Sequence, residues 1–250
     1  MLWTVLTIVV GIYAGLCLLF FVAQRSFLYH PTARTQAHEA AVTLDVPGAT
    51  LRISCRPYDG PKAVLYFGGN AEDVAFSLPD LTAMFPDRAV YGLHYRGYSG
   101  STGRPSEDDL RNDARALWDL VHARHPDVVV IGRSLGSSLA IQLAAEKPVS
   151  RLVLITPFAS ILAIAQRVAP FLPMRLLLQD TYESWRYAER VTCPTLVIAG
   201  SADELVPAED TRDLLQAFRP GVAALRVIDG ADHNSVSNEP MFWEAVATGR

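Results

Sequence analysis

Gly132-Arg133-Ser134-Leu135-Gly136 lies directly between an uninterrupted apolar run, Val128 to Ile131, and an apolar helical stretch, Leu135 to Ala145. A serine on so sharp a turn needs neighbours without bulk two residues before and after it, and glycine occupies both positions. Ser137, Ser138 and Ala140 are small enough for the following helix to pack closely on a sheet. This is the local context of a nucleophile elbow. The helix begins at the serine, so its free N–H groups and positive dipole end face any oxyanion formed there. A glycine-bracketed turn of no catalytic importance would read the same way in isolation, so the rest of the chain has to supply the partners.

Short apolar runs alternate with helical segments along the chain. Thr43 to Val46 and Leu51 to Arg56 read as a hairpin around Pro47-Gly48. Six further strands follow at Ala63 to Phe67, Ala89 to Leu93, Val128 to Ile131, Arg151 to Ile155, Thr195 to Ala199 and Ala224 to Ile228. Most are continuous Val/Leu/Ile runs, as expected of parallel strands covered on both faces. Helices fit at Ala75 to Met84, Asp108 to Arg124, Leu135 to Ala145 and Ala208 to Phe218. The expected fold is α/β: a mostly parallel eight-stranded sheet with flanking helices, whose ligand site lies at the carboxyl ends of the strands. About 40 residues separate Ile155 from Thr195, far more than such links need. That stretch, rich in Leu and Ala, reads as a short helical cap with helices at Ile161 to Val168 and Arg175 to Leu178, covering an acyl or alkyl pocket. Ordinary surface helices are the alternative.

The N-terminal segment has a different character. Leu2 to Ala23 is a run of about 22 residues without a charge, roughly 33 Å as a helix and enough to cross a bilayer core. It lacks the basic start, short apolar core and small-residue exit of a cleaved leader, so it reads as an uncleaved, single-pass transmembrane anchor over 1–23. A polar linker over 24–38 and a folded domain over 39–250, with its cap at about 157–190, complete the organisation. Arg25 and Arg34 follow the anchor and no Lys or Arg precedes it, which places the folded domain on the cytoplasmic side. Gly11 and Gly15 have the spacing of a self-association face, although glycine is common in membrane helices.

Composition removes other classes. Half the residues are hydrophobic and the formal net charge is −4, with no basic stripe for nucleic acid. Cys17, Cys55 and Cys193 have no paired spacing and read as small hydrophobes. No metal or organic cofactor is expected, and His122 and His125 read as a solvated helix end.

A serine hydroxyl needs a base, and the base needs an orienting carboxylate. Asp203 follows the apolar strand ending at Ala199, and His233 follows the last strand, in Gly230-Ala231-Asp232-His233-Asn234. Serine, acid and base thus occur in the order an elbow-type hydrolase requires. Glu204 is the fallback acid, and His94, at the end of an earlier strand, is the rival base. The oxyanion needs two N–H donors. Leu135 supplies one, and Asn70 in Phe67-Gly68-Gly69-Asn70-Ala71 is the candidate for the other; a plain strand-to-helix turn is the alternative reading of that loop.

Together these segments resemble the α/β-hydrolase superfamily, and more narrowly the membrane-anchored serine hydrolases of the Bem46 and ABHD17-like group. The resemblance spans nearly the whole chain. It is carried by Gly69-Asn70-Ala71-Glu72-Asp73, Tyr95-Arg96-Gly97-Tyr98-Ser99-Gly100, Gly103-Arg104-Pro105-Ser106-Glu107, the elbow, and Pro170-Phe171-Leu172-Pro173 at the end of the cap. Many members have histidine where this chain has Gly68. The resemblance implies hydrolase chemistry at Ser134, Asp203 and His233, on substrates that range from esters and thioesters to amides and lipids. An ester or thioester with an apolar acyl chain is the expected small-molecule or lipid-like substrate. A peptidase of the same fold and a non-catalytic membrane-bound scaffold are the alternatives.

Overall fold

The structure, a computed structural model, describes residues 1–34 and 41–248. In chain order the elements are α1 (Leu2–Leu28), β1 (Ala41–Val46), β2 (Ala49–Arg56), β3 (Lys62–Phe67), α2 (Leu78–Met84), β4 (Ala89–Leu93), α3 (Glu107–His122), β5 (Asp127–Arg133) and α4 (Leu135–Ala144). They continue with β6 (Arg151–Ile155), α5 (Ile161–Val168), α6 (Met174–Leu177), α7 (Trp185–Ala188), β7 (Thr195–Gly200), α8 (Ala208–Gln216) and β8 (Ala223–Ile228). A 3₁₀ turn (Ser235–Asn238) and α9 (Pro240–Thr248) close the chain.

The eight strands form one sheet in the order β1-β2-β4-β3-β5-β6-β7-β8. β2 runs antiparallel to both β1 and β4, and every other pairing is parallel. The apolar runs are continuous because both faces of the central strands are covered. Leu65 and Phe67 of β3 join Val128 and Val130 of β5 in the core on one face, with α3 and α4 residues such as Trp118 and Leu139. Val64, Tyr66, Val129 and Ile131 alternate to the other face, under Leu81 and Phe85 and the α9 residues Phe242 and Val246. From β3 the chain steps one way to β4, then returns to β5 on the other side. The strand order therefore reverses between β3 and β5, and a crevice opens beyond their carboxyl ends.

Local chemistry explains where helices depart from the periodic pattern. α2 starts at Leu78 rather than Ala75 because Pro79 fits only in a first turn. α3 starts at Glu107 because the Ser106 hydroxyl accepts from Asp109 N–H as an N-cap. α7, four residues long, has no periodicity to detect.

α1 is long and apolar enough to cross a membrane. It also runs past Ala23: Gln24 to Leu28 are helical, within the stretch read as linker, and residues 35–40 of that stretch lie outside the described residues. His125 corrects the expectation of a solvated helix end. It is buried, with Nδ1 at 2.7 Å from Gly60 O and Nε2 at 3.2 Å from Tyr91 OH, while the His122 ring stacks on Trp118.

Candidate active site

Ser134 sits between β5 and α4 with φ +48° and ψ −114°, a strained backbone conformation for any side chain. The flanking glycines make it attainable. A Cβ on Gly132 would stand 2.4 Å from Gly136 O, and one on Gly136 would stand 2.1 Å from Phe67 O. The obstruction in each case is backbone, which cannot swing aside. Gly136→Ala is therefore expected to destabilise the fold by about 3 kcal/mol through overpacking at the β3–α4 contact, read as a lower urea midpoint at unchanged m-value. A midpoint equal to the wild type would remove the steric account.

Asp203 follows β7 and His233 follows β8. The two loops meet because Gly200 lacks a side chain: a Cβ there would lie 2.2 Å from Ala231 O. Asp203 is buried. Its Oδ1 accepts the N–H groups of Leu205 (3.0 Å) and Val206 (2.8 Å), and its Oδ2 lies 2.8 Å from His233 Nδ1. On the other side of the ring, His233 Nε2 is 2.9 Å from Ser134 Oγ. Asp232 turns the histidine loop by accepting from Asn234 N–H and Ser235 N–H, and these backbone donors hold its carboxyl below the usual range. Hydroxyl, imidazole and carboxylate thus form one continuous hydrogen-bonded chain.

The alternative residues lie elsewhere. Glu204 is exposed. His94 is buried, with Nε2 2.5 Å from Ser54 Oγ and Asp73 facing Nδ1 at 3.6 Å. Burial lowers its pKa from 6.5 to about 4, assisted by Arg52 and opposed by Asp73. A histidine held neutral in the fold stabilises it fully above pH 6.5, and that stability drains away as pH falls from 6.5 toward 4. The loss is on the order of 3 kcal/mol. Thermal unfolding between pH 7 and 4.5 should show this decline, and His94→Gln should flatten it; an equally steep decline in the variant would assign the effect to other groups.

The Gly68-Gly69-Asn70 loop leaves β3 beside the elbow, close enough that a Cβ on Gly69 would stand 3.7 Å from Ser134 Cβ. Leu135 opens α4, so its N–H belongs to the first turn, where a helix has no internal acceptors. The loop's support was not legible in the sequence. Glu72 is its hub: Oε2 accepts Gly69 N–H at 2.6 Å, and Oε1 accepts Tyr66 OH and Ser77 OH, both at 2.7 Å. Burial raises the Tyr66 pKa, keeping that phenol a donor. Tyr95 OH donates to Gly68 O (2.6 Å) and Tyr98 OH donates to Asn70 Oδ1 (2.7 Å), so the Tyr95–Tyr98 loop buttresses the Gly68–Asn70 loop. Asn70 also reaches α1 and its exit: Nδ2 donates to Leu28 O (2.6 Å) and Oδ1 accepts His30 N–H (3.1 Å).

Two hollows flank Ser134. The larger, about 510 Å³, is mostly apolar, with Phe158, Ile161, Ile164, Val168 and Met174 among its lining and Ser134 and His233 at one end. Phe20, Gln24, Phe27 and Leu28 of α1 complete its wall, a contribution the sequence reading did not foresee. The smaller, about 230 Å³, is of mixed polarity, more polar than the first, and is lined by Gly69, Ala71, Glu72 and Arg133, with Asn70, Ser134, His233 and Asn234 shared between the two. Among the described residues no group of three or more His, Cys, Asp or Glu side chains could hold a metal ion.

Comparison with known proteins agrees with this architecture. Residues 63–181 match the family model described as the alpha/beta hydrolase fold. The chain is 37% identical over 180 residues to the uncharacterized protein Rv2307c of Mycobacterium tuberculosis, covering 70% of this chain and 63% of that one. It is 30% identical over 203 residues to the alpha/beta hydrolase domain-containing protein aho-3 of Caenorhabditis elegans, covering 77% of this chain and 60% of that one. The chain thus spans less than two thirds of the length of either relative. Among solved structures, the Pyrococcus furiosus esterase Pf2001 superposes with a TM-score of 0.69 at 18% identity, over 88% of this chain and 96% of that one. Family match and structural neighbours converge on one architecture: this chain has the α/β-hydrolase fold.

Proposed function

We propose that this protein is a membrane-anchored serine hydrolase that cleaves acyl esters or thioesters through Ser134, His233 and Asp203. The observation that carries the reading is the unbroken chain from Asp203 through His233 to Ser134, at 2.8 and 2.9 Å, opening into an apolar hollow. His233 Nε2 takes the proton as Ser134 Oγ attacks the acyl carbonyl, and Asp203 holds the imidazole with Nδ1–H toward itself. The N–H groups of Asn70 and Leu135 receive the oxyanion. Collapse breaks the ester or thioester bond, and His233 returns its proton to the departing oxygen or sulfur. Water then attacks the acyl-enzyme, its proton going to His233, and releases the carboxylic acid with Ser134 restored.

The two hollows suit the two halves of such a substrate. An acyl chain fits the apolar one and the leaving group fits the more polar one. An esterase among the structural neighbours agrees with this chemistry. α1 supplies the anchor, Arg25 in its last turn and Arg34 beyond it favour a cytoplasmic catalytic domain, and Gly11 and Gly15 leave an open face on which two anchors can meet. Membership of the membrane-anchored group within the superfamily belongs to the same proposal.

A fluorophosphonate probe tests it. The reading expects covalent labelling of the wild type, blocked in Ser134→Ala. A folded wild type that takes no label would point to a scaffold, and turnover of aminoacyl amides in preference to esters would point to a peptidase.

A further inference from the structure

α1 does more than a tether requires. Phe20 and Phe27 lie on one side of it with rings stacked at 6.3 Å, and both line the hollow that ends at Ser134. α5 lines the same hollow through Ile161, Ile164 and Val168. The helix is tied to the cap along much of its length. Gln24 donates to Leu177 O (2.9 Å) and accepts from Gln179 N–H (2.7 Å), and Arg25 pairs with Asp180 at 2.9 Å. Tyr13 OH donates to Phe171 O at 2.8 Å.

That last bond sets a depth. Tyr13 lies 15 residues before Leu28, or about 22 Å along the axis, near the middle of the uncharged run. A helix crossing a bilayer with that run would carry the cap tip down with it. The tip is built for such surroundings: Val168, Phe171 and Leu176 are 76%, 64% and 81% exposed. Exposed apolar side chains grouped beside an apolar helix mark a surface that meets something other than water.

We propose that the cleft opens sideways into the bilayer, between α1 and α5, and that Phe20 and Phe27 help set acyl length. The substrate class that fits is a membrane-resident amphiphile whose long acyl chain slides into the cleft without leaving hydrocarbon. Every methylene spared exposure to water favours this route over one through solvent. The scissile carbonyl then meets Ser134 at the membrane surface, with the polar remainder beside Arg133 and Asn234. This inference rests on the hydrolase reading above.

The full-length chain in phosphatidylcholine vesicles provides the test, with p-nitrophenyl palmitate and butyrate as substrates. Phe20→Trp and Phe27→Trp narrow the wall and should lower the palmitate-to-butyrate ratio of kcat/KM by about tenfold or more. Leu120→Trp, on the far side at α3, should leave the ratio alone. A fluorescent label on Phe171→Cys, in a Cys17→Ser background, should be quenched by lipids carrying nitroxide midway along the acyl chain, and one on Leu120→Cys should not. An unmoved ratio, or a Phe171 label that lipid nitroxides do not reach, would overturn the inference; crosslinking between Phe171→Cys chains would assign the patch to a second copy instead. Failure of the wild type to turn over either ester or to take a fluorophosphonate label would overturn the hydrolase reading itself.

Discussion

Ser134→Ala is expected to lower kcat by roughly a millionfold, and His233→Ala by a similar factor. In the proposed mechanism the two side chains act as one unit, so losing either removes the acyl-enzyme route, leaving oxyanion donors and binding alone. The fold should survive Ser134→Ala. The serine hydroxyl's hydrogen bond is to His233, and the backbone contacts of the elbow, Ser134 N–H to Ile155 O and Ser137 OH to Ser134 O, do not involve it. The strained φ is the same for alanine as for serine. Steady-state hydrolysis of a short ester, with circular dichroism of the same samples, checks both halves. Turnover within tenfold of the wild type in a folded variant would show that Ser134 is not the nucleophile.

Asp203→Asn should lower kcat about ten-thousandfold with little change in fold. One carboxylate oxygen is fixed by the N–H groups of Leu205 and Val206, and the other faces His233 Nδ1. An amide in the same place keeps its carbonyl on the backbone donors and turns its NH₂ toward the ring. The imidazole then places its proton on Nε2, where it can no longer accept from Ser134. The effect is one of tautomer and should fall on kcat. Exposed Glu204 provides the contrast: Glu204→Gln should stay within about twofold of the wild type, as surface changes away from such features usually do. Near-normal kcat in Asp203→Asn, with loss in Glu204→Gln, would exchange the two roles.

The sheet was readable because burial on both faces forces unbroken runs such as Val128 to Ile131 and Thr195 to Ala199. Antiparallel β1 and β2 were readable from the Pro47-Gly48 turn instead. Ser134, Asp203 and His233 were readable because each stands where a strand ends, and strand ends are fixed by local pattern. Glu72 carried no such signal. Its importance comes from Tyr66, Ser77 and Gly69 meeting in space, and nothing in a single glutamate announces that. The two roles proposed for α1 overlap in one composition: Phe20 and Phe27 look alike whether they face lipid or a cleft. His125 was misjudged because helix ends are usually wet, whereas the Gly60 carbonyl and Tyr91 come from outside its helix to bury it.

Shortened forms of this chain divide at Gln24. A form starting there retains the amide, guanidinium and phenol of Gln24, Arg25 and Tyr29 that grip Leu177, Gln179 and Asp180. One starting at Thr32 loses that grip, and with it the Leu28 carbonyl and His30 N–H that moor Asn70. Such a fragment keeps Ser134, Asp203 and His233 but lacks the ties that hold the Asn70 loop beside Ser134. On the proposed function, a form starting at Thr32 should therefore turn over a short ester more slowly than one starting at Gln24, and equal rates in the two would show that these ties do not matter to the site.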